Sequence, residues 1–264
     1  LEESMNVLDH GIVDLIETWG SDENVICAAR QSTDGAFRRW EDSWICPKCK
    51  TSFNDEFDFC GCCRIRVDWI HTKGDARLLR YLYRNKHLTP FEMAGAIFEV
   101  KAPIFVFREW HRHRTQSYNE MSARYIPIPD ENYVPSVERL MKKDSHNKQA
   151  GALAEADLTT KAAQEFQNML RTMYIDVQDT YEYGLEMGVP KELARILLPV
   201  GRYSKMWASA NLRNWLQFLE LRNDSAAQWE IQEYARAVQA LLKDHFPRTL
   251  ALFEEGRSPS GGPK

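Results

Sequence analysis

The chain has 264 residues, 44% of them hydrophobic and 27% charged, with a formal net charge of −4. That length suits one large domain or two small ones, and the composition is that of an ordinary globular protein. The acidic balance excludes a chain built to coat nucleic acid, so an anion site has to be a local concentration of arginines. No apolar run approaches the roughly 18 residues that suggest a membrane span. The start, Leu1-Glu2-Glu3-Ser4, is acidic and carries neither a Met nor a signal-peptide pattern. Of six cysteines, Cys27, Cys46, Cys49, Cys60, Cys62 and Cys63, five fall within 18 residues. Without a secretory signal, such a cluster points to a metal site in a reducing cytoplasm rather than to a disulfide framework.

Residues 1–44 read as mixed α/β around the apolar run Val25-Ile26-Cys27-Ala28-Ala29. A cysteine-rich segment follows over 45–72. From Asp75, Leu78, Leu79, Leu82 and Tyr83 recur at three- and four-residue steps and predict a helix that Pro90 breaks. Residues 93–101 alternate as a strand. Pro103 suits the first turn of a helix carrying Arg108 and Arg112 one turn apart on the same face. Residues 115–150 read as loop, punctuated by Pro127, Pro129 and Pro135.

An amphipathic helix is expected over 157–187. Its stripe of Leu158, Ala162, Phe166, Met169, Met173 and Val177 is assigned to core packing, and Gly188-Val189-Pro190 stops it. A short helix over 191–198 precedes a strand near 202–209. Helices near 211–222 and 226–246 close the chain, the last with Ile231, Ala235, Val238 and Leu242 at helical spacing. The Gly-, Ser- and Pro-rich tail, 256–264, reads as disordered, leaving 1–255 as the main domain.

Residues 108–124 hold the arginines Arg108, Arg112, Arg114 and Arg124 and the histidines His111 and His113 against two glutamates. Arginine offers a permanently charged planar fork that matches phosphate bidentately. Ser117, Asn119 and Ser122 could complete such a site with neutral hydrogen bonds. The run begins in an apolar context, Ile104-Phe105-Val106-Phe107, unlike a solvated charge run. Composition gives an anion site and leaves the anion open.

Arg112-His113-Arg114, seven residues, then Ser122 and on into Arg124-Tyr125, resembles the motif of the flavin-dependent thymidylate synthases. Three further blocks resemble that family in the same order. They are His87-x-Thr89-Pro90-Phe91-Glu92, Arg195-Ile196-Leu197-Leu198-Pro199, and Asn211-x-Arg213 followed by Phe218-Leu219-x-Leu221-Arg222-x-Asp224-Ser225-x-Ala227-Gln228-Trp229-Glu230. The resemblance implies an α+β fold, an antiparallel sheet flanked by long helices. It implies an enzyme that methylates dUMP to dTMP with methylenetetrahydrofolate, NADPH and FAD, and that forms homotetramers.

By position, the resemblance places Arg112, His113, Arg114 and Glu120 at the flavin or its junction with the nucleotide. His87, Thr89, Glu92, Asn211, Arg213 and Gln217 would line the FAD site, with Ser32 beside them. Ser122, Ala123, Arg124 and Arg195 would hold the dUMP phosphate, together with Arg112. Arg222 would lie along the pyrimidine, where a guanidinium stabilises charge developing on the ring. Arg222, Arg112 and Ser122 are thus the expected catalytic set, with Ser122 a phosphate ligand because no base stands beside it to make it a nucleophile. Glu109 occupies a position where some relatives have Gln, and a carboxylate there would meet substrate only through an arginine. No cysteine is required to attack the uracil.

Cys46-Pro47-Lys48-Cys49 and Cys60-Gly61-Cys62-Cys63 are two C-x-x-C knuckles ten residues apart. The spacing suits a tetrahedral thiolate site of Cys46, Cys49, Cys60 and Cys63, with Cys62 spare. Both knuckles resemble zinc ribbons and rubredoxin, so zinc or iron fits. Such a closed site is structural, and residues 45–72 look like an inserted segment too short to fold without metal. Two other readings stand beside the main one. A flavin-dependent relative could hydroxymethylate the pyrimidine nucleotide instead. A zinc-ribbon nucleic-acid-binding protein is disfavoured by the net charge and by the acidic loop Asn54-Asp55-Glu56-Phe57-Asp58. No nucleic-acid or membrane partner is expected.

Overall fold

A computed structural model of the chain describes residues 3–142 and 157–257. In chain order its elements are strands β1 Ser4–Val7 and β2 Gly11–Trp19, helix α1 Asp22–Arg30, strands β3 Ser43–Ile45, β4 Ser52–Phe53 and β5 Ile70–Thr72, and helix α2 Ala76–Arg84. Then come strand β6 Gly95–Pro103, helix α3 Ile104–Trp110, strand β7 Ser117–Glu120, helices α4 Val137–Met141, α5 Thr160–Glu186 and α6 Lys191–Ala194, strand β8 Tyr203–Asn211, and helices α7 Leu212–Arg222, α8 Trp229–His245 and α9 Pro247–Arg257. The elements form two compact units. One comprises Leu1–Glu17, Ala96–Ala210 and Asn214–Leu241; the other comprises Thr18–Gly95, Asn211–Arg213 and Leu242–Lys264.

The first unit is built on a five-stranded sheet of order β1-β2-β6-β8-β7, antiparallel at both edges. Period-2 burial marks its central strands. On β6, Ala96, Phe98, Val100 and Ala102 are buried, and on β8, Ser204, Met206, Ala208 and Ala210 are buried while Lys205 and Trp207 face outward. An aromatic core covers the sheet. Phe98 and Trp215 meet edge to face at 5.0 Å, and Trp110 and Phe218 lie 4.5 Å apart. Such pairs add about 1 kcal/mol each beyond their buried area. The buried Trp donors are satisfied, Trp110 by Gln116 Oε1 at 3.0 Å and Trp215 by the Ala96 carbonyl at 3.0 Å. Ile231, Ala235 and Val238 of α8 are buried in one stripe. This core holds the C-terminal ends of α3 and α7.

The second unit packs α1, α2 and α9 together and carries a three-stranded sheet of order β4-β3-β5, antiparallel throughout. Asp22 starts α1 and also caps α9, accepting from the Arg248 amide at 2.8 Å and the Thr249 hydroxyl at 2.6 Å. The roots of the cysteine-rich insertion are clamped together. Asp42 accepts from the Gly74 amide at 2.9 Å and from Arg77 at 2.9 Å, and buried Asp75 takes the Arg30 guanidinium and the Arg38 amide. The excursion therefore leaves and rejoins the chain at adjacent points.

Several sequence expectations are corrected. The helix from Asp75 stops at Arg84, well before Pro90, because Lys86 turns left-handed at φ 57° and Thr89–Met93 forms a separate 3-10 turn. Helix α3 ends at Trp110, so Arg112 lies in the turn beyond it rather than on the face of Arg108. The expected loop over 115–150 contains β7 and α4, and its residues 143–156 lie outside the described residues. The short helix over 191–198 divides into α6 and a 3-10 turn at Arg195–Leu197. A further helix, α9, takes in Gly256 and Arg257; residues 258–264 lie outside the described residues.

The largest correction concerns α5. Phe166, Met169 and Met173 are 49%, 66% and 56% exposed, whereas Ala163 and Tyr181 are the buried positions. Periodicity identifies which side chains share a face. It does not say that this chain's own core covers that face.

Candidate active site

A cleft of about 370 Å³ opens in the first unit. One wall is a face of α3 and its C-cap, where Ile104, Phe107, Arg108 and His111 recur at helical spacing. The opposite wall is the exit of β7, with Glu120, Met121, Ser122 and Ala123, and Arg195 and Leu198 approach from the turn after α6. The β7–β8 ladder ends where the Met121 amide donates to the Lys205 carbonyl at 2.8 Å. Beyond it Ser122 organises a turn. Its carbonyl accepts from the Tyr125 amide at 3.0 Å and its hydroxyl from the Arg124 amide at 3.3 Å. Glu120 accepts from the Ser204 hydroxyl at 2.9 Å, which fixes one carboxylate oxygen. Two guanidinium groups, Arg108 and Arg195, thus share the cleft with one anchored carboxylate, an arrangement that favours an anion.

Beside α3 lies a second constellation. Arg222, the last residue of α7, donates from Nε to His113 Nε2 at 2.9 Å, from Nη1 to Glu109 Oε2 at 2.7 Å and from Nη2 to the Glu109 carbonyl at 2.9 Å. All three sides of the guanidinium are thereby fixed. His113 is buried, 5.0 Å from the Phe218 ring, and its carbonyl lies 2.8 Å from the Tyr118 hydroxyl on β7. Burial, and then the Arg222 charge, pull its pKa from 6.5 down to about 4. The imidazole is therefore neutral, with the lone pair on Nε2 and the proton on Nδ1.

In the second unit, Glu92 on the 3-10 turn is ion-paired with Arg213. The Leu212 amide next to it donates to the Ala94 carbonyl at 2.7 Å. His87, ahead of this turn, and Thr89, its first residue, are exposed, and the His87 ring meets Tyr81 at 5.5 Å. Asn211 is half-buried. Ser32 is exposed and donates to the Ala29 carbonyl at 3.2 Å.

The expected site residues therefore fall into three groups: Glu120, Ser122, Ala123 and Arg195 in the cleft; Arg222, Glu109 and His113 in one hydrogen-bonded cluster; and Glu92 with Arg213. Arg112, Arg114 and Gln217 are exposed outside these contacts. Arg124 pairs with Glu192 at 3.4 Å between two exposed side chains. Arg108 and His111 belong to the arginine-rich run read as an anion site but received no individual role from the resemblance, and both line the cleft. Their common face with Ile104 and Phe107 was the available signal.

The four cysteines Cys46, Cys49, Cys60 and Cys63 bring their sulfurs within 4.8 Å of one another. Cys46 and Cys63 are 3.7 Å apart and Cys49 and Cys60 are 3.5 Å apart. Sulfurs ~2.3 Å from a tetrahedral ion lie about 3.8 Å from each other, so the set fits a thiolate metal site. The two knuckles repeat one geometry. Lys50 and Arg64, each four residues after its first cysteine, are left-handed and donate to the Cys46 and Cys60 carbonyls at 2.9 and 2.8 Å. Cys62 is exposed and outside the cluster.

The family model described as "Thymidylate synthase complementing protein" matches residues 14–248. The flavin-dependent thymidylate synthase of Thermus thermophilus is 36% identical over 94% of this chain and 77% of its own. That of Thermotoga neapolitana is 35% identical over 94% of this chain and 92% of its own. The chain belongs to the flavin-dependent thymidylate synthase family.

Among solved structures, the UMP/dUMP methylase PolB from Streptomyces cacaoi, bound with 5-Br dUMP, superposes with a TM-score of 0.71 at 30% identity, covering 95% of this chain and 97% of that one. The same methylase bound with 5-Br UMP gives 0.72 at 27% identity. Flavin-dependent thymidylate synthases take FAD. On this chain Arg112 and Arg114 are exposed guanidinium groups, unpaired among the described residues, next to the neutral His113. That donor set suits an anionic dinucleotide cofactor. No described helix is long and apolar enough to cross a membrane.

Proposed function

We propose that this flavin-dependent thymidylate synthase family member converts dUMP to dTMP, with methylenetetrahydrofolate as carbon donor and NADPH as reductant through FAD. The observation that carries the reading is the three-point fixation of Arg222 beside a neutral His113, next to an arginine-lined cleft on the same helix.

In this reading Ser122, Ala123, Arg124 and Arg195 hold the nucleotide phosphate, and Arg112 bridges phosphate and flavin. Arg222 presents a guanidinium to the pyrimidine, where its charge stabilises negative charge developing on the ring. His113 orients that guanidinium without adding a competing charge, because its imidazole stays neutral through the working pH range. Glu109 acts on substrate only through Arg222. Arg112, His113, Arg114 and Glu120 would hold the flavin at its reacting end, and His87, Thr89, Glu92, Asn211, Arg213 and Gln217 would hold the rest of FAD. The flavin, when bound, supplies the hydride that reduces the one-carbon group.

Cys46, Cys49, Cys60 and Cys63 would hold a structural zinc ion that gives the insertion its folding free energy. The need for free thiols there favours a reducing cytoplasm. The exposed apolar side chains on α5, Phe166, Met169 and Met173, support assembly as a homotetramer.

The direct test is spectroscopic. Purified protein should be yellow, and NADPH should reduce its FAD faster when dUMP is present. Protein that is flavin-free and cannot be reconstituted with FAD would reject the reading.

A further inference from the structure

We propose that Arg202, which lies outside every matching block, is the positioning residue that holds the walls of the nucleotide cleft in register. The proposal rests on the reading of that cleft as the dUMP phosphate site.

The Arg202 side chain is completely buried. Its Nη1 donates to the Pro129 carbonyl at 2.9 Å and to Asp130 Oδ1 at 2.8 Å, and its Nη2 donates to Gln178 Oε1 on α5 at 2.8 Å. Its backbone groups are engaged as well. The Arg202 carbonyl accepts from the Ile104 amide at 3.0 Å, and the Arg202 amide donates to the Pro199 carbonyl at 3.0 Å.

The neighbouring residues repeat the pattern. Phe105 donates to Val200 at 2.9 Å, Tyr133 to Gly201 at 2.9 Å, and Tyr203 to Glu131 at 2.8 Å. The segments that Arg202 ties together continue directly into the walls of the cleft. Ile104 opens the α3 face that bears Arg108 and His111. Pro129 ends the segment that carries Ser122, Ala123 and Ile128. Pro199 follows Leu198 and the turn bearing Arg195.

A buried guanidinium costs several kcal/mol unless paired, and an apolar side chain of similar volume can be as stabilising. Stability alone therefore does not require arginine here. What arginine adds is a planar fork that reaches three acceptors on two separate segments at once, which a lysine ammonium cannot reproduce. The fork ties the Ser122 wall to α5 while the same residue's backbone ties the α3 wall to the Arg195 wall. Misplacing a phosphate ligand by about 1 Å is enough to cost up to about 100-fold in turnover efficiency.

The test uses full-length, FAD-loaded enzyme carrying Arg202→Lys or Arg202→Met, with melting temperature, flavin content, and KM and kcat for dUMP and NADPH as readouts. The expected result is a dUMP KM raised about tenfold or more in both variants, with flavin content and the NADPH KM unchanged. Lysine should not rescue.

A wild-type dUMP KM in either folded variant would overturn the role. So would loss of every parameter in step with melting temperature, which is what a purely structural residue would give. If neither variant folds, Asp130→Ala with Gln178→Ala removes the fork's two side-chain acceptors at less buried positions, and an unchanged dUMP KM there would equally overturn it. Wild-type enzyme that binds no dUMP would instead remove the nucleotide reading, and this role with it.

Discussion

Arg222 donates through Nε to His113 Nε2 at 2.9 Å, across 109 residues of sequence. The contact fixes the charge state of both partners. His113 can accept this bond only when its Nε2 is unprotonated, and the Arg222 charge opposes protonation. The guanidinium is therefore held by a neutral acceptor on one edge and by Glu109 on the other.

A pH dependence follows from that contact. His113 titrates at about 4 in the folded protein against an ordinary 6.5. A depressed folded-state pKa means that the unfolded chain takes up the proton first as the pH falls. The stability is intact above pH 6.5 and is lost as the pH falls towards 4, by up to ~3 kcal/mol. His113→Gln keeps an acceptor for Arg222 and removes the titration. Urea midpoints across this range should fall more steeply for wild type than for the variant; parallel curves would contradict the assignment.

Arg222→Ala should lower turnover of dUMP by about 100-fold or more while FAD stays bound, since the lost interaction is with charge developing on the pyrimidine. Arg222→Lys should recover little, because lysine cannot occupy Glu109 and His113 together. Glu109→Gln retains an acceptor for Nη1 and should cost less than Glu109→Ala. Steady-state kcat with flavin absorbance checks all four, and wild-type turnover in Arg222→Ala would refute the role.

In the cleft, Ser122→Ala removes a neutral hydrogen bond worth about 1 kcal/mol, and Arg195→Ala or Arg108→Ala removes a charged one worth about 2 kcal/mol. The dUMP KM should rise about fivefold for the serine and about 30-fold for each arginine. Unchanged KM values in all three variants would place the phosphate elsewhere.

Metal analysis should find about one zinc ion per chain. Cys46→Ser and Cys60→Ser should lose it, and Cys62→Ser should keep it, because Cys62 lies outside the four-sulfur cluster. Chelation should unfold the insertion and leave the rest of its unit folded, since Asp42 and Asp75 clamp the insertion's roots independently of any metal. Zinc below a tenth of stoichiometry in protein purified without chelator would argue against the site.

Much of the architecture was legible because it rests on local chemistry. Ile231, Ala235 and Val238 announced the buried face of α8, and the two C-x-x-C knuckles announced the sulfur cluster. The misreadings have a common cause. Phe166, Met169 and Met173 keep helical spacing, but spacing does not reveal whether the same chain covers them. Strand β7 was missed because Ser117-Tyr118-Asn119-Glu120 is polar and pairs only at the sheet edge. Arg202 carried no local signal at all, because its partners Pro129, Asp130 and Gln178 are distant in sequence.

The most direct measurement is the mass of the nucleotide formed when the flavin-loaded enzyme is given dUMP, methylenetetrahydrofolate and NADPH. The expected product is dTMP, formed only when all three are present and formed about 100-fold more slowly, or slower still, in Arg222→Ala. A hydroxymethylated nucleotide, or no nucleotide product from enzyme that binds FAD, would contradict it.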